Sequence, residues 1–185
     1  NRALRELARA GLLDRRRKAG TRVALDPVRK ATLDIPVIRL EIEGKGHAYG
    51  YALLDRSMRI PPPETAVRMR VGPGERLLYL TALHLADGRA YVFERRWINP
   101  KVVPQLDGID FQDQSPNEWL VRNIAFEGGD IAFTAADAGA EEARMLGCET
   151  GAALFVIDRS TWLSSGIITC VRLAFAPGYR LRTTL

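Results

Sequence analysis

The pair Asp87-Gly88 stands between two alternating runs, Leu77 to Leu85 and Tyr91 to Ile98, and nothing else in the chain restricts its fold as tightly. Asp-Gly supplies the positive-φ positions that a two-residue hairpin turn demands, and the flanking runs repeat with a strand's period of two. A ribbon of this length must bury a face, so further strands and covering helices are expected. The sequence offers them. Ala153 to Leu163 and Ile167 to Phe175 read as a second hairpin across Ser164-Ser165-Gly166. Tyr49, Tyr51 and Leu53 alternate as a strand up to Pro61-Pro62-Pro63, and Ile131 to Ala135 forms another.

Four helices are expected around these strands. One carries Val37, Ile38, Glu41 and Ile42, with Asp34 as its cap and Gly44-Lys45-Gly46 as its stop. The next spans Pro63 to Met69 and closes at Gly72-Pro73-Gly74. A third opens at Ser115-Pro116, the hydroxyl at the cap and the proline at the first helical position, and runs through Val121. The fourth runs from about Ala140 to Leu146 and stops at Gly147. The expected fold class is α+β: a mostly antiparallel sheet with helices on one side. No internal repeat and no low-complexity tract is evident.

The beginning of the chain differs in character. Ala3, Leu4, Leu7, Ala8 and Ala10 share one helical face, Arg2, Arg5 and Arg9 point elsewhere, and Gly11 ends the pattern. Leu12-Leu13 and Thr21-Arg22-Val23 read as short strands around a basic turn, Lys18-Ala19-Gly20-Thr21. From Asn1 to Lys30 ten basic residues face three acidic ones, a net of +7; the whole chain carries +5, which leaves −2 for the other 155 residues. A cationic module on a near-neutral body is the electrostatic footprint of a nucleic-acid-binding regulator. So small an apolar face cannot form a core alone, and the chain begins without Met inside a helical pattern. Upstream residues are therefore expected, and residues 1–185 alone are expected to bind DNA weakly.

Other classes are disfavoured. No apolar run approaches the roughly 20 residues needed to span a bilayer, and the start is Arg-rich rather than a secretory leader. Cys148 and Cys170 are too few for a disulfide framework and read as buried, reduced thiols of a cytoplasmic protein. The two His and two Cys show no metal-ligand spacing. No phosphate-cradling loop, nucleophile elbow or Ser/His/Asp set can be assembled, so neither a cofactor nor catalysis is expected.

Several motifs in order carry a family resemblance. Asn1-Arg2-Ala3-Leu4, Leu7, Gly11-Leu12-Leu13, the Arg cluster and Gly20-Thr21-Arg22-Val23 resemble the second half of a GntR-type winged helix-turn-helix. Phe93-Glu94-Arg95-Arg96-Trp97-Ile98-Asn99-Pro100, Asp110-Phe111, Pro116-Asn117-Glu118-Trp119-Leu120, Arg159-Ser160-Thr161-Trp162 and Pro177-Gly178 resemble the UTRA effector domain of the histidine-utilisation repressor group. The resemblance implies a partial DNA-binding domain over 1–25, a linker over 26–32 and a UTRA effector domain over 33–185. It further implies a homodimeric repressor on palindromic double-stranded operator DNA, with urocanate as effector or, on a second reading, another small carboxylate or amino-acid derivative. Asn1, Arg2, Arg5, Arg17, Lys18, Gly20 and Thr21 become the DNA-contact candidates; arginine reads guanine or neutralises phosphate, and a small wing tip enters a minor groove. The fold also resembles chorismate lyase, so an enzyme removing pyruvate from an aromatic acid is an alternative. A lyase has no use for the basic segment.

Urocanate joins an imidazole to a carboxylate through a conjugated chain. It needs a guanidinium or helix amino terminus, a partner for the ring and flat walls. Arg96 is the expected carboxylate partner and Glu94, on the same strand face, the expected acceptor of a ring N–H; a solvated ion pair is the alternative. Relatives answering to phosphosugars carry Arg at the positions of Ala82 and His84, so their loss argues against a phosphorylated ligand and makes His84 a candidate. A tight Asp87-Gly88 turn puts His84 with Tyr91 and Phe93, whereas a bulge or longer loop puts it with Glu94 and Arg96. Ser115 is an anion-site or plain-cap residue, Tyr51 and Trp119 are pocket walls or core, and Arg172 is an anion partner or solvent-facing.

Overall fold

The computed structural model describes residues 37–182, together with the backbone of two short strands ahead of them. The chain divides into two compact units, Asn1–Pro36 and Val37–Leu185. In the first, β1 (Leu13–Arg16) and β2 (Gly20–Val23) pair antiparallel, with Leu13 opposite Val23 and Arg16 opposite Gly20. The expected ribbon is thus present, with Arg15 and Arg16 drawn into its first strand. Gly20 and Thr21 lie in β2. Asn1, Arg2, Arg5, Arg17 and Lys18 lie outside the described residues, as do the expected first helix and the linker over 26–32.

The second unit runs α1 (Ile38–Gly44), β3 (Tyr49–Arg59), α2 (Pro63–Met69), β4 (Leu77–Ala86), β5 (Arg89–Ile98), a short 3-10 turn (Pro104–Leu106), α3 (Pro116–Asn123), β6 (Gly128–Asp137), α4 (Ala140–Leu146), β7 (Ala153–Leu163) and β8 (Gly166–Phe175). Its six strands form one sheet, ordered β3-β4-β5-β8-β7-β6, with every neighbouring pair antiparallel. The topology repeats although the sequence does not. Strand, helix and hairpin (β3-α2-β4-β5) recur as β6-α4-β7-β8, and the two hairpins join through β5 and β8. Each helix crosses the join: α2 packs on β8 and α4 on β5.

Helices cover both faces of the sheet, not one. Phe93 and Ala174 are opposite each other and pack under Ala143 and Leu146 of α4, while Met69 of α2 meets Cys170 and Leu77. On the other face, Ile38 and Ile42 of α1 pack on Val92, Val171, Leu173 and Phe175. There too, Leu120 of α3 joins Leu78, Leu80, Ile98, Val103, Leu106 and Phe111. The central strands present apolar side chains on both sides, and each buried one contributes roughly 1.5–3 kcal/mol, so neither face can be left to water.

Local rules account for most element ends. Ser115 Oγ accepts from Glu118 N at 3.3 Å and Pro116 takes the first helical position of α3. Gly147 closes α4 at φ 66°. Helix α1 has Val37 rather than Asp34 at its cap position, with no side-chain cap bond, so packing alone starts it. Cys170 is buried, but Cys148, just past α4, is only half-buried; both are free thiols. Among the described residues no helix is long and apolar enough to cross a membrane.

Gly129 faces Thr161 in the β6–β7 ladder, and a Cβ there would lie 2.9 Å from the Ser160 carbonyl oxygen. That oxygen belongs to the strand carrying Arg159 and cannot swing aside. Gly129→Ala should therefore cost about 1–3 kcal/mol of unfolding free energy in urea titrations. Gly44, with open space around its Cβ, is the control. Equal effects of Gly129→Ala and Gly44→Ala would contradict the close approach.

Candidate functional site

The middle of the sheet, on the face shared with α1 and α3, is polar yet closed to water. His84 and Glu94 are each 1% exposed, Arg96 is 0% and Arg159 3%. A bulge brings the first three together. The turn is two residues long, with Ala86 opposite Arg89 and positive φ at Asp87 (50°) and Gly88 (75°). Alone it would set His84 beside Tyr91 and Phe93. The register slips between His84 and Leu85, however: Leu85 pairs with Ala90, His84 with Val92, and Tyr91 is the extra residue. One inserted residue exchanges faces, so His84 joins Glu94 and Arg96.

These side chains are linked by hydrogen bonds in two sets, one around Glu94 and one around Arg159 and Glu118. His84 Nε2 lies 2.9 Å from Glu94 Oε2, and its Nδ1 lies 2.9 Å from the Tyr49 hydroxyl. Arg96 Nε donates to Glu94 Oε1 at 2.5 Å, and its Nη1 to Thr169 Oγ1 at 3.3 Å. Tyr51 sets its ring edge against His84, with centroids 5.5 Å apart. From β7, Arg159 donates through Nη2 to Asn117 Oδ1 on α3. The next residue, Glu118, accepts from Arg39 Nε of α1 at 3.1 and 3.3 Å, and Arg122 stands 3.7 Å away.

Four buried polar atoms have no hydrogen-bond partner among the described residues: Tyr51 Oη, Arg96 Nη2, and Arg159 Nε and Nη1. Leaving a buried donor empty costs about 1–3 kcal/mol, more on a charged group. The charges agree. Burial alone would raise the Glu94 carboxyl, but Arg96 and the hydrogen-bonded His84 prevail and hold it at about 2. Burial, aided by the like charge of Arg96 and opposed by Glu94, brings the Arg159 guanidinium down to about 9. Two guanidiniums thus face one carboxylate, and the excess positive charge is where the free donors are. Such a cluster can accept a small anion and offer one further polar contact at Tyr51.

Of the residues expected from the sequence, the structure unites Tyr51, His84, Glu94 and Arg96. The Glu94–Arg96 pair is buried, not solvated. Ser115 is the buried cap of α3, beside the site through Asn117 and Glu118. Trp119 is half-buried and packs edge-on to Phe111, centroids 6.1 Å apart, within the apolar cluster next to the site. Arg172 is elsewhere: it pairs across from Arg95 on the opposite face and donates to Asp158 at 2.9 Å. Alternation along β8 put it opposite to Val171 and Leu173, both of which face the site. The sequence reading missed Arg159, Asn117, Glu118 and Tyr49 as site residues; Arg39 lies outside the cluster and touches it only through Glu118 and the Tyr49 ring. For Arg159 there was a signal, since it shares strand parity with the buried Ile157. Among the described residues no group of three or more His, Cys, Asp or Glu is placed to hold a metal.

The architecture is thus a six-stranded antiparallel sheet, covered by helices on both faces, that encloses a polar, positively charged cluster. Sequence comparison agrees: the UTRA domain matches residues 44–182. The histidine utilization repressor of Pseudomonas putida is 31% identical over 182 residues, covering 98% of this chain and 73% of that protein. That of Klebsiella aerogenes is 30% identical over 98% of this chain and 75% of its own length. The C-terminal domain of the histidine utilization repressor from Pseudomonas syringae pv. tomato superposes with a TM-score of 0.69 at 24% identity, over 75% of this chain and 99% of that one. PhnF from Mycobacterium smegmatis gives 0.69 at 25% identity, over 99% of this chain and 81% of that one. The chain belongs to the UTRA-domain family and is a relative of the histidine utilization repressors.

The depressed Glu94 carboxyl makes a stability prediction. Its folded value lies below the ordinary one, so its contribution is present above the ordinary carboxylate range and is lost as pH falls through about 2. The difference in unfolding free energy between wild type and Glu94→Gln should shrink by roughly 3 kcal/mol between about pH 6 and about pH 2. Urea titrations at the two pH values measure it. A difference independent of pH would contradict the buried ion pair.

Proposed function

We propose that this chain is a ligand-responsive transcriptional repressor of histidine-utilisation genes, and that its effector is a small planar carboxylate, urocanate. The observation that carries this reading is the set of empty donors on Arg96 and Arg159 in a cluster with excess positive charge. The relatives' names supply the pathway, and the residues supply the chemistry. Arg96 spends one nitrogen on Glu94 and one on Thr169, so Arg159, with two free nitrogens, is the main receiver of the carboxylate. Glu94, whose carboxylate oxygens can each accept a second bond, offers the acceptor that an imidazole N–H requires, and His84 holds that carboxylate in place. Tyr51 closes one wall of the pocket. The absence of guanidiniums at Ala82 and His84 disfavours a phosphate.

DNA binding falls to the first unit. Asn1, Arg2, Arg5, Arg17, Lys18, Gly20 and Thr21 are its contact residues, on a palindromic operator read by a homodimer. Effector control then requires that the ligand prefer one arrangement of the DNA-binding heads over another.

Calorimetric titration of urocanate into variants tests the assignment. Arg159→Met removes the main receiver and leaves only the neutral Asn117 amide behind, so the fold should survive. It should weaken binding by about 10- to 150-fold, the range of a charge-assisted hydrogen bond. Tyr51→Phe should weaken it less, and Arg172→Met, on the opposite face, should leave it unchanged. Unaltered affinity in Arg159→Met would remove this cluster as the effector site.

A further inference from the structure

We infer that Arg39 is the residue through which the buried cluster controls the docking of α1, the first helix after the boundary at Pro36. The inference rests on the reading that the cluster takes an anion. Arg39 is where two routes out of the cluster meet. Along the first, Arg159 holds Asn117, and the neighbouring Glu118 carboxylate accepts from Arg39. Along the second, Arg96 holds Glu94, Glu94 meets His84, His84 meets the Tyr49 hydroxyl, and the Arg39 guanidinium lies 4.4 Å from the centre of the Tyr49 ring.

Helix α1 is suited to act as a two-state element. It has seven residues, far fewer than an isolated helix needs to persist in water, so it exists only while docked. Its apolar anchorage is Ile38 and Ile42, while Leu40 is 65% exposed. Its polar anchorage is Arg39 at one end and, at the other, Glu41 with Lys45 and Tyr91 at 2.7 Å each. Without Arg39, the Glu118 carboxylate, 4% exposed, would keep only Arg122 at 3.7 Å. An ion pair with one buried member counts for far more than a surface pair.

The sign of the coupling follows from charge. With the cluster empty, the surplus positive charge of Arg96 and Arg159 repels the Arg39 guanidinium. A carboxylate on Arg159 cancels that surplus, and Arg39 is then drawn more firmly onto Glu118 and Tyr49. Ligand therefore tightens α1, and the chain entering it from Pro36 is held at a defined point.

Hydrogen–deuterium exchange at the amides of residues 38–45 tests this, with and without saturating urocanate, in wild type, Arg39→Met and Arg39→Lys. Without ligand, Arg39→Met should speed exchange there about tenfold or more while leaving β5 and β8 unchanged. Urocanate should slow these amides in wild type and not in Arg39→Met, although the variant still binds urocanate within a few-fold by calorimetry. Arg39→Lys, which keeps the charge, should restore part of the slowing. Equal ligand-free exchange in wild type and Arg39→Met would overturn the inference. So would urocanate binding that leaves residues 38–45 unchanged in wild type. If urocanate does not bind, the carboxylate reading fails, and the ligand-free comparison alone decides whether Arg39 clasps α1.

Discussion

Two guanidiniums buried in one row of the sheet, with the Glu94 carboxylate paired to only one of them, are the interaction on which the rest of this structure depends. Arg96 is tolerable in the sheet because Glu94 and Thr169 take two of its nitrogens. Among the described residues Arg159 donates to the neutral amide of Asn117 and to no carboxylate, so its charge is the less compensated one. A stable protein keeps such a group either by paying for it in folding energy or by using it. The surroundings favour use: the free nitrogens point into a site roofed by two helices, with a tyrosine hydroxyl also unpartnered. The empty donors are what a carboxylate would fill, and the same charge imbalance gives a ligand something to change.

How the change leaves the site is a matter of topology. The sheet repeats a strand–helix–hairpin unit, and the two hairpins meet at β5 and β8, which puts Glu94 and Arg96 near the join. Helices of the repeated unit cover one face. The other face is left to the two helices outside the repeat, α1 and α3, and these carry Arg39, Asn117 and Glu118. The site is therefore closed by the two helices that stand outside the repeat. One of them is also the first element beyond the boundary between the two units.

Much of this was legible where the rule is local. The Asp87-Gly88 turn and the Gly147 stop rest on a left-handed backbone that few residues adopt, the Ser115-Pro116 helix start on a side-chain cap and a proline, and each was found where the residues indicated. Faces were not legible. Alternation set Arg172 apart from Val171 and Leu173 and put Arg159 with Ile157, but in strands buried on both sides it could not say which of the two faces holds the site. The same ambiguity concealed the helices on the second face. His84 depended on a bulge that leaves no mark in composition; both outcomes were consistent with the same turn. Arg39 and Glu118 lie 79 residues apart, and a contact of that range follows from the assembled fold rather than from any spacing.

The central claim is that the buried cluster needs an anion. It is tested most directly by isothermal titration calorimetry of the unmodified chain with urocanate and with the uncharged carboxamide of the same acid. The two differ in little but charge at one end. The account predicts micromolar binding of urocanate and at least about tenfold weaker binding of the carboxamide. Equal affinity for both would show that Arg96 and Arg159 do not receive the carboxylate, and binding of neither would show that this cluster is not built for it.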